Sequence, residues 1–193
     1  FLMVVLGLLV AVVGISFALP DRWQVERSLH VDASPEVLRP LVHDLRRWPE
    51  WLPWGEKDDP SLQRTFTGDG VGQRMTWRGD EIGSGETTLT ARSADEVRYS
   101  SSVAGGRAAY DGWVRIRAEG TGSIVTWGEG GSFSNPLLRW FATSFEEANG
   151  GDYERGLLNL QKLATGAVKR PYPGTEGTNP AELVPLGVDA GTP

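Results

Sequence analysis

The feature that most limits how this chain can fold is a series of six short segments in which apolar and polar residues alternate. They run from Leu62 to Thr67, Gln73 to Arg78, Glu86 to Ala91, Glu96 to Val103, Arg107 to Ala118 and Ser123 to Phe133, with glycine or acidic turn residues between them. A period of two is the signature of a half-buried strand, and connections this short join antiparallel neighbours, because parallel strands need long crossovers. An antiparallel meander is expected. A further strand precedes it at Trp23 to Val31, where Trp23, Val25, Arg27, Leu29 and Val31 alternate with Gln24, Glu26, Ser28 and His30.

Helical signals flank the strands. Ser34-Pro35-Glu36 supplies a cap, a first-turn proline and a first-turn acid ahead of Val37, Leu38, Leu41, Val42 and Leu45 at helical spacing. Pro40 lies inside that pattern and predicts a kink or a later start. The stretch Leu45 to Trp54 carries three tryptophans and two prolines and predicts a compact turn or short helix. Asn135-Pro136 opens a long closing helix through Leu137, Leu138, Trp140, Phe141 and Phe145, resumed at Tyr153, Leu157, Leu158, Leu160 and Leu163 and weakened at Gly150-Gly151.

The ends of the chain differ in kind from the middle. Residues 1–19 carry no charge and have Ser16 as their one polar side chain, which predicts a retained single-pass transmembrane anchor in preference to a cleaved signal sequence. The flanking charges do not fix which side of the membrane the domain faces. Residues 20–169 hold all eight tryptophans and all the strand patterns, so they form one domain. Residues 170–193 read as a disordered tail: from Pro171 onward there are five prolines and four glycines without any period. The net charge of −6, spread evenly, excludes a surface built to neutralise phosphates, so nucleic acid is not a partner. The absence of cysteine excludes disulfides, thiolate metal sites and a cysteine nucleophile.

Four stretches, VERSLHVDASPEVLRPLVHDLRRWPEWLPW, GDGVGQRMTWRGDEIGSGETTLT, GSIVTWGEGGSF and DYERGLLNLQKLA, fall in that order along the element series. In them the chain resembles the polyketide cyclase/dehydrase-like branch of the START/Bet v 1 (SRPBCC) superfamily, over about residues 20–166. The resemblance implies an α+β helix-grip fold, with a curved antiparallel sheet of about seven strands wrapped around a long C-terminal helix and preceded by one transmembrane helix. It implies an apolar cavity for a lipid, a polyketide or another hydrophobic molecule. It implies no fixed catalytic set and no cofactor.

Strand parity separates wall from surface, since alternate side chains face opposite sides of a sheet. The inward set comprises Leu62, Arg64, Phe66, Met75, Trp77, Leu89, Val97, Tyr99, Tyr110, Val114, Ile116, Val125, Trp127, Glu129 and Phe133. From it the candidate ligand-binding residues are Arg64, Phe66, Met75, Trp77, Tyr99, Tyr110, Val114, Trp127 and Glu129, joined by Phe141 and Phe145 from the closing helix. Periodicity alone does not separate a cavity wall from a filled core. On inward parity Arg64 and Glu129 would pair at the cavity mouth, but the run Gly128-Glu129-Gly130-Gly131 favours a bulge that would turn Glu129 outward.

Other features argue against sharper chemistry. His30 and His43 have no sequence-local partner and read as surface residues, and no histidine spacing suits a metal. Gly68-Asp69-Gly70-Val71-Gly72 reads as a hairpin turn because a strand follows it and no lysine closes it. The cluster of Trp48, Trp51 and Trp54 reads as packing rather than as a lipid contact. Three functions remain in view. The first is membrane-tethered binding of a hydrophobic small molecule or lipid between sheet and helix. The second is a polyketide cyclase/dehydratase-type enzyme using Arg64, Tyr99, Tyr110 or Glu129 as acid or base in the same cavity. The third is a non-catalytic protein-interaction module.

Overall fold

A computed structural model describes residues 1–166 apart from residues 107, 134 and 143, and the side chains of Leu2, Leu9, Phe141 and Phe145 lie outside that description. The expected tail at 170–193 also lies outside the described residues. Seven strands form one antiparallel sheet in the order β1-β7-β6-β5-β4-β3-β2. They are β1 (Arg22–Val31), β2 (Gln63–Thr67), β3 (Arg74–Arg78), β4 (Ser84–Arg92), β5 (Glu96–Val103), β6 (Ala108–Glu119) and β7 (Gly122–Ser132). Sequence alternation placed every one within two residues. The sheet wraps a long C-terminal helix, α3 (Phe145–Ala164), which lies against β1 and β7, so the helix-grip expectation holds.

A second helix, α2 (Pro35–His43), starts where its capping residues put it and buries Leu38, Leu41 and Val42. Pro40 costs the bond to the Glu36 carbonyl but does not delay the start, and the helix ends one turn later at Asp44. A 3₁₀ turn at Leu45–Glu50 follows, opened by the Asp44 side chain accepting from the Arg46 amide. Trp48 and Trp51 are buried there, and their indole N–H groups donate to the Val42 and Leu41 carbonyls. Those two bonds fasten the turn to α2 and leave both ring faces for the core. Trp51 stacks edge-on against Trp127, and Trp48 against Tyr99.

The closing segment is not one helix. Pro136–Phe141 forms a separate 3₁₀ turn capped by Asn135, and α3 begins afresh at Phe145. The expected weak point at Gly150-Gly151 is continuous helix. Gly150 is a point of close approach instead, since a Cβ there would sit 2.1 Å from the Arg27 guanidinium. Arg27 reaches past it from β1 to pair with Glu146 and Glu154, one on each side along the helix.

The N-terminal segment corrects a further expectation. Its helix, α1, spans Leu2–Ala18 and stops where Leu19, preceding Pro20, turns extended. Its 17 residues extend about 25 Å at about 1.5 Å per residue, short of a hydrocarbon core of roughly 30 Å. Among the described residues no helix is long and apolar enough to cross a membrane, which overturns the expected single-pass membrane localisation through residues 1–19. The helix lies instead along the 136–141 turn, where Trp140 donates to Ser16 at 2.7 Å and Arg139 to the Phe17 carbonyl at 3.3 Å.

Candidate functional site

Pairing register sets the site. Val25 faces Glu129, Glu129 faces Gly112, and Gly112 faces Tyr99, making one row across four strands on the face that α3 covers. Because Gly112 has no side chain, the Tyr99 ring lies flat over it. A Cβ at residue 112 would be 2.1 Å from the Tyr99 ring carbon that bears the hydroxyl. The hydroxyl thereby reaches Glu129 two strands away and donates to Oε1 at 2.6 Å, while accepting from the Trp127 indole N–H at 2.7 Å. From above, Tyr153 of α3 donates to Glu129 Oε2 at 2.5 Å. Gly156, one turn further along α3, leaves room for the Trp127 ring, which a Cβ would approach to 2.5 Å.

Glu129 is thus a buried carboxyl whose two oxygens each accept from a tyrosine. Burial raises its pKa from 4.5 to about 7, with the Tyr153 and Tyr99 hydrogen bonds opposing the rise. The phenols move the other way from availability. Burial, then the Glu129 charge, pushes Tyr99, Tyr110 and Tyr153 well above the usual phenol range, so all three remain protonated donors. The only group in this cluster that changes charge near neutral pH is the carboxyl.

An aromatic-walled cavity opens beside this carboxyl. Of the residues expected from the sequence, Arg64, Met75, Trp77, Tyr99, Tyr110, Trp127 and Glu129 line it. Trp48, Leu52, Trp54, Leu62, Thr87 and Ser101 complete the wall. In this closed state it leaves about 20 Å³ for the centre of a water-sized sphere, room for about one water. Phe66 and Val114 do not line it: Phe66 packs half-buried against the core, and Val114 is fully buried within it beside Trp127. Phe141 and Phe145 lie outside the described side chains.

Two expectations about Glu129 are corrected. β7 pairs without interruption with β1 from Ser123 to Ser132, and the sheet's register shift lies in β4 between Leu89 and Ala91. Two of the β7 glycines lie beneath indoles from neighbouring strands, Trp113 over Gly128 and Trp23 over Gly131, and the strand stays regular with Glu129 inward. Arg64 and Glu129 line the same cavity but form no ion pair. Arg64 donates to the Trp54 carbonyl at 3.3 Å, and the Glu56 charge partly offsets the lowering of its pKa by burial.

Sequence reasoning missed Tyr153, because it sits at the apolar spacing of Tyr153, Leu157 and Leu160 and reads as core. Its hydroxyl on an otherwise aliphatic stripe is the signal that could have marked it. His30 is exposed beside Asp32 and Glu119. His43 is half-buried, with its pKa lowered by burial and then by Arg92 and Arg39. Among the described residues no cluster of histidine and acidic side chains could hold a metal.

Outside the cavity lies an open groove of about 570 Å³, bordered by Glu50, Glu56, Lys57, Asp58 and Asn159. Leu52, Trp54 and Arg64 belong to both the groove and the cavity, so these three side chains form the partition between them. The loop that carries Trp54 is tied down at its far end by Asp59. That carboxylate accepts from the Ser61 hydroxyl and amide and from the Glu81 and Ile82 amides, which hold its pKa down to about 2.

The model of the family described as polyketide cyclase / dehydrase and lipid transport matches residues 22–165. No curated protein matches the chain. Solved structures share the fold at low identity. Norcoclaurine synthase from Thalictrum flavum, a point mutant in complex with a transition state analogue, is 12% identical with a TM-score of 0.58, over 76% of this chain and 96% of that one. The di-domain ARO/CYC protein StfQ of the steffimycin biosynthetic pathway is 9% identical with a TM-score of 0.57, over 76% of this chain and 52% of that one. XoxI from Bacillus cereus is 19% identical with a TM-score of 0.53, over 75% of this chain and 97% of that one.

Proposed function

We propose, for a chain that belongs to the polyketide cyclase/dehydrase and lipid transport family, that the cavity between sheet and α3 takes up a hydrophobic small molecule and reads one polar atom of it with Glu129. The observation that carries this reading is the buried carboxyl, held by Tyr99 and Tyr153, on the wall of a mostly apolar and aromatic cavity. A carboxyl costs free energy in such a place, and a core that only needed filling would do better with an apolar side chain. The aromatic walls supply the apolar contact that binding sites for such molecules use, and the few polar groups supply orientation. Uptake requires the partition of Leu52 and Trp54 to move, because the closed cavity holds about one water. The test is saturable binding of a neutral apolar fluorophore to the chain, at one site per molecule. Binding should weaken when the cavity is narrowed by Ser101→Phe, and absence of any saturable binding overturns the reading.

A second reading, cyclase/dehydratase-type catalysis, is favoured by one specific observation: Glu129 is poised near pH 7. A general acid–base works best when its pKa lies near the operating pH. In a dehydration the Glu129 carboxylate would take the proton from the carbon next to a carbonyl, and that C–H pair would become the new double bond. The β C–O bond would break, and the carboxylic acid would return its proton to the departing hydroxyl, which leaves as water. One proton moves in and out, so the step needs no further reactant. Turnover of a β-hydroxy ketone that fails in Glu129→Gln, with fluorophore binding unchanged, would support it.

A further inference from the structure

Arg64 is the one cation in the partition between cavity and groove, and its surroundings leave it short of acceptors. It stands on β2 with its side chain half-buried, and burial lowers its pKa. Its single hydrogen bond runs to the Trp54 carbonyl at a long 3.3 Å. Among the described residues it forms no ion pair, unlike Arg27 and Arg47, which are comparably covered and each reach an acid. A guanidinium has five N–H donors in a planar fork, and a partly desolvated one gains most from a charged acceptor that fills the fork.

Resting on the binding reading above, we propose that the cavity's ligand is a hydrophobic monoanion, whose carboxylate is gripped by Arg64 at the partition while its apolar body fills the aromatic cavity toward Glu129. The geometry favours a carboxylate over a phosphate. A carboxylate matches the fork with two parallel bonds and carries one charge, whereas the second charge of a phosphate would face Glu56 and Asp58 across the groove. Those two acids are exposed and screened by salt, while Glu50 is buried and already paired with Arg47, so the groove's acids do not cancel the attraction of a half-buried cation for one negative charge. Arg64 also touches both spaces, so a head group held there marks the point at which the ligand's tail enters. Among the described residues one of the five Arg64 N–H donors is engaged, by the Trp54 carbonyl, so a carboxylate can take two others at the partition.

The test uses decanoate, decan-1-ol and decylamine as matched probes, each titrated against the full chain by displacement of the neutral fluorophore below its micelle concentration. Decanoate should bind about tenfold or more tighter than decanol, as expected for one charge-assisted bidentate pair. Arg64→Gln should abolish that preference while leaving decanol affinity within about twofold, and Arg64→Lys should keep part of it, because charge survives and the fork does not. Equal affinity for decanoate and decanol in a chain that still binds the fluorophore overturns the anion proposal and leaves the binding reading intact. A preference for decylamine, or an equal loss of all three probes in Arg64→Gln, also overturns it. Failure of every probe, the fluorophore included, sinks both.

Discussion

The Tyr99 hydroxyl reaches Glu129 across an intervening strand because residue 112 is glycine. The row Tyr99, Gly112, Glu129 is a small gap in the sheet's side-chain cover, bridged by one phenol. Cavity, carboxyl and α3 are joined through it, since Tyr153 of α3 completes the same carboxyl.

Gly112→Ala tests that bridge. A methyl group there would overlap the Tyr99 ring, which Trp48 packs edge-on and whose hydroxyl is held by Glu129 and Trp127, leaving it little freedom to retreat. Overpacking together with a lost hydrogen bond to a buried carboxyl should cost roughly 2 to 3 kcal/mol. For a domain of this size that lowers the unfolding midpoint by roughly 6 to 10 °C. Thermal unfolding followed by circular dichroism checks it, and a shift under about 2 °C would show that Tyr99 does not depend on the gap.

Glu129 should make stability fall as pH rises through the neutral range. Its pKa is higher in the folded chain, about 7, than the ordinary value of 4.5, so between those values the folded state holds a proton that the unfolded state has lost. The stability is complete below about pH 4.5 and is lost as pH climbs to about 7. At about 1.4 kcal/mol per tenfold change in proton affinity, the loss is roughly 3 kcal/mol. Urea denaturation at pH 5 and pH 7.5 should show that decline in the native chain and a nearly flat profile in Glu129→Gln. Equal slopes would place the titrating group elsewhere.

Asp59 acts with the opposite sign in a different window. Its pKa is depressed from 3.8 to about 2 by the Ser61 hydroxyl and then by backbone amides. Its contribution is present above about pH 3.8 and lost as pH falls toward 2. Asp59→Asn should lower the midpoint at pH 7 and shrink the drop between pH 4 and pH 2. Because Asp59 pins the loop that bears Trp54, the variant should also speed fluorophore uptake in stopped-flow mixing.

Gly151→Ala should stabilise the chain. The position is helical and open, with nothing within 4 Å of a new Cβ, so alanine's helix preference is gained without a clash. The expected gain is about 0.5 to 1 kcal/mol, or roughly 2 to 3 °C in the midpoint. A loss instead would mean that residue 151 does not hold this open helical geometry in solution.

The strands were legible in the sequence because one face of the sheet is covered by α3, which enforces alternation from β1 to β7. Strand ends, parity and the inward direction of Tyr99, Tyr110 and Trp127 followed from that alone. Parity set Glu129 inward as well, but the glycine run around it argued for a bulge that would turn it out. Glycines in a strand normally signal a bulge, but β7 pairs without interruption, with the indoles of Trp113 and Trp23 from neighbouring strands lying over Gly128 and Gly131. Such cross-strand cover depends on register, which no local pattern encodes. Tyr153 was hidden for a related reason: helical spacing marks a buried stripe, but only the docked helix shows that its hydroxyl meets a carboxyl. Residues 1–19 misled because a count of apolar residues includes Phe1 and Leu19, which lie outside α1.

Gly112 beneath Tyr99 has a counterpart on the opposite face, where Gly128 lies beneath Trp113 and the indole donates to Glu26 at 2.8 Å. Each is a donor–gap–acceptor triplet, and its three positions are not free to vary one at a time. Enlarging a glycine displaces an aromatic ring, shortening the ring removes the acid's donor, and removing the acid leaves a buried phenol or a half-buried indole without its acceptor. Substitutions within a triplet should therefore be strongly non-additive, with the second change costing far less than the first. A larger side chain at residue 112 is therefore expected to be tolerated best where residues 99 and 129 change with it.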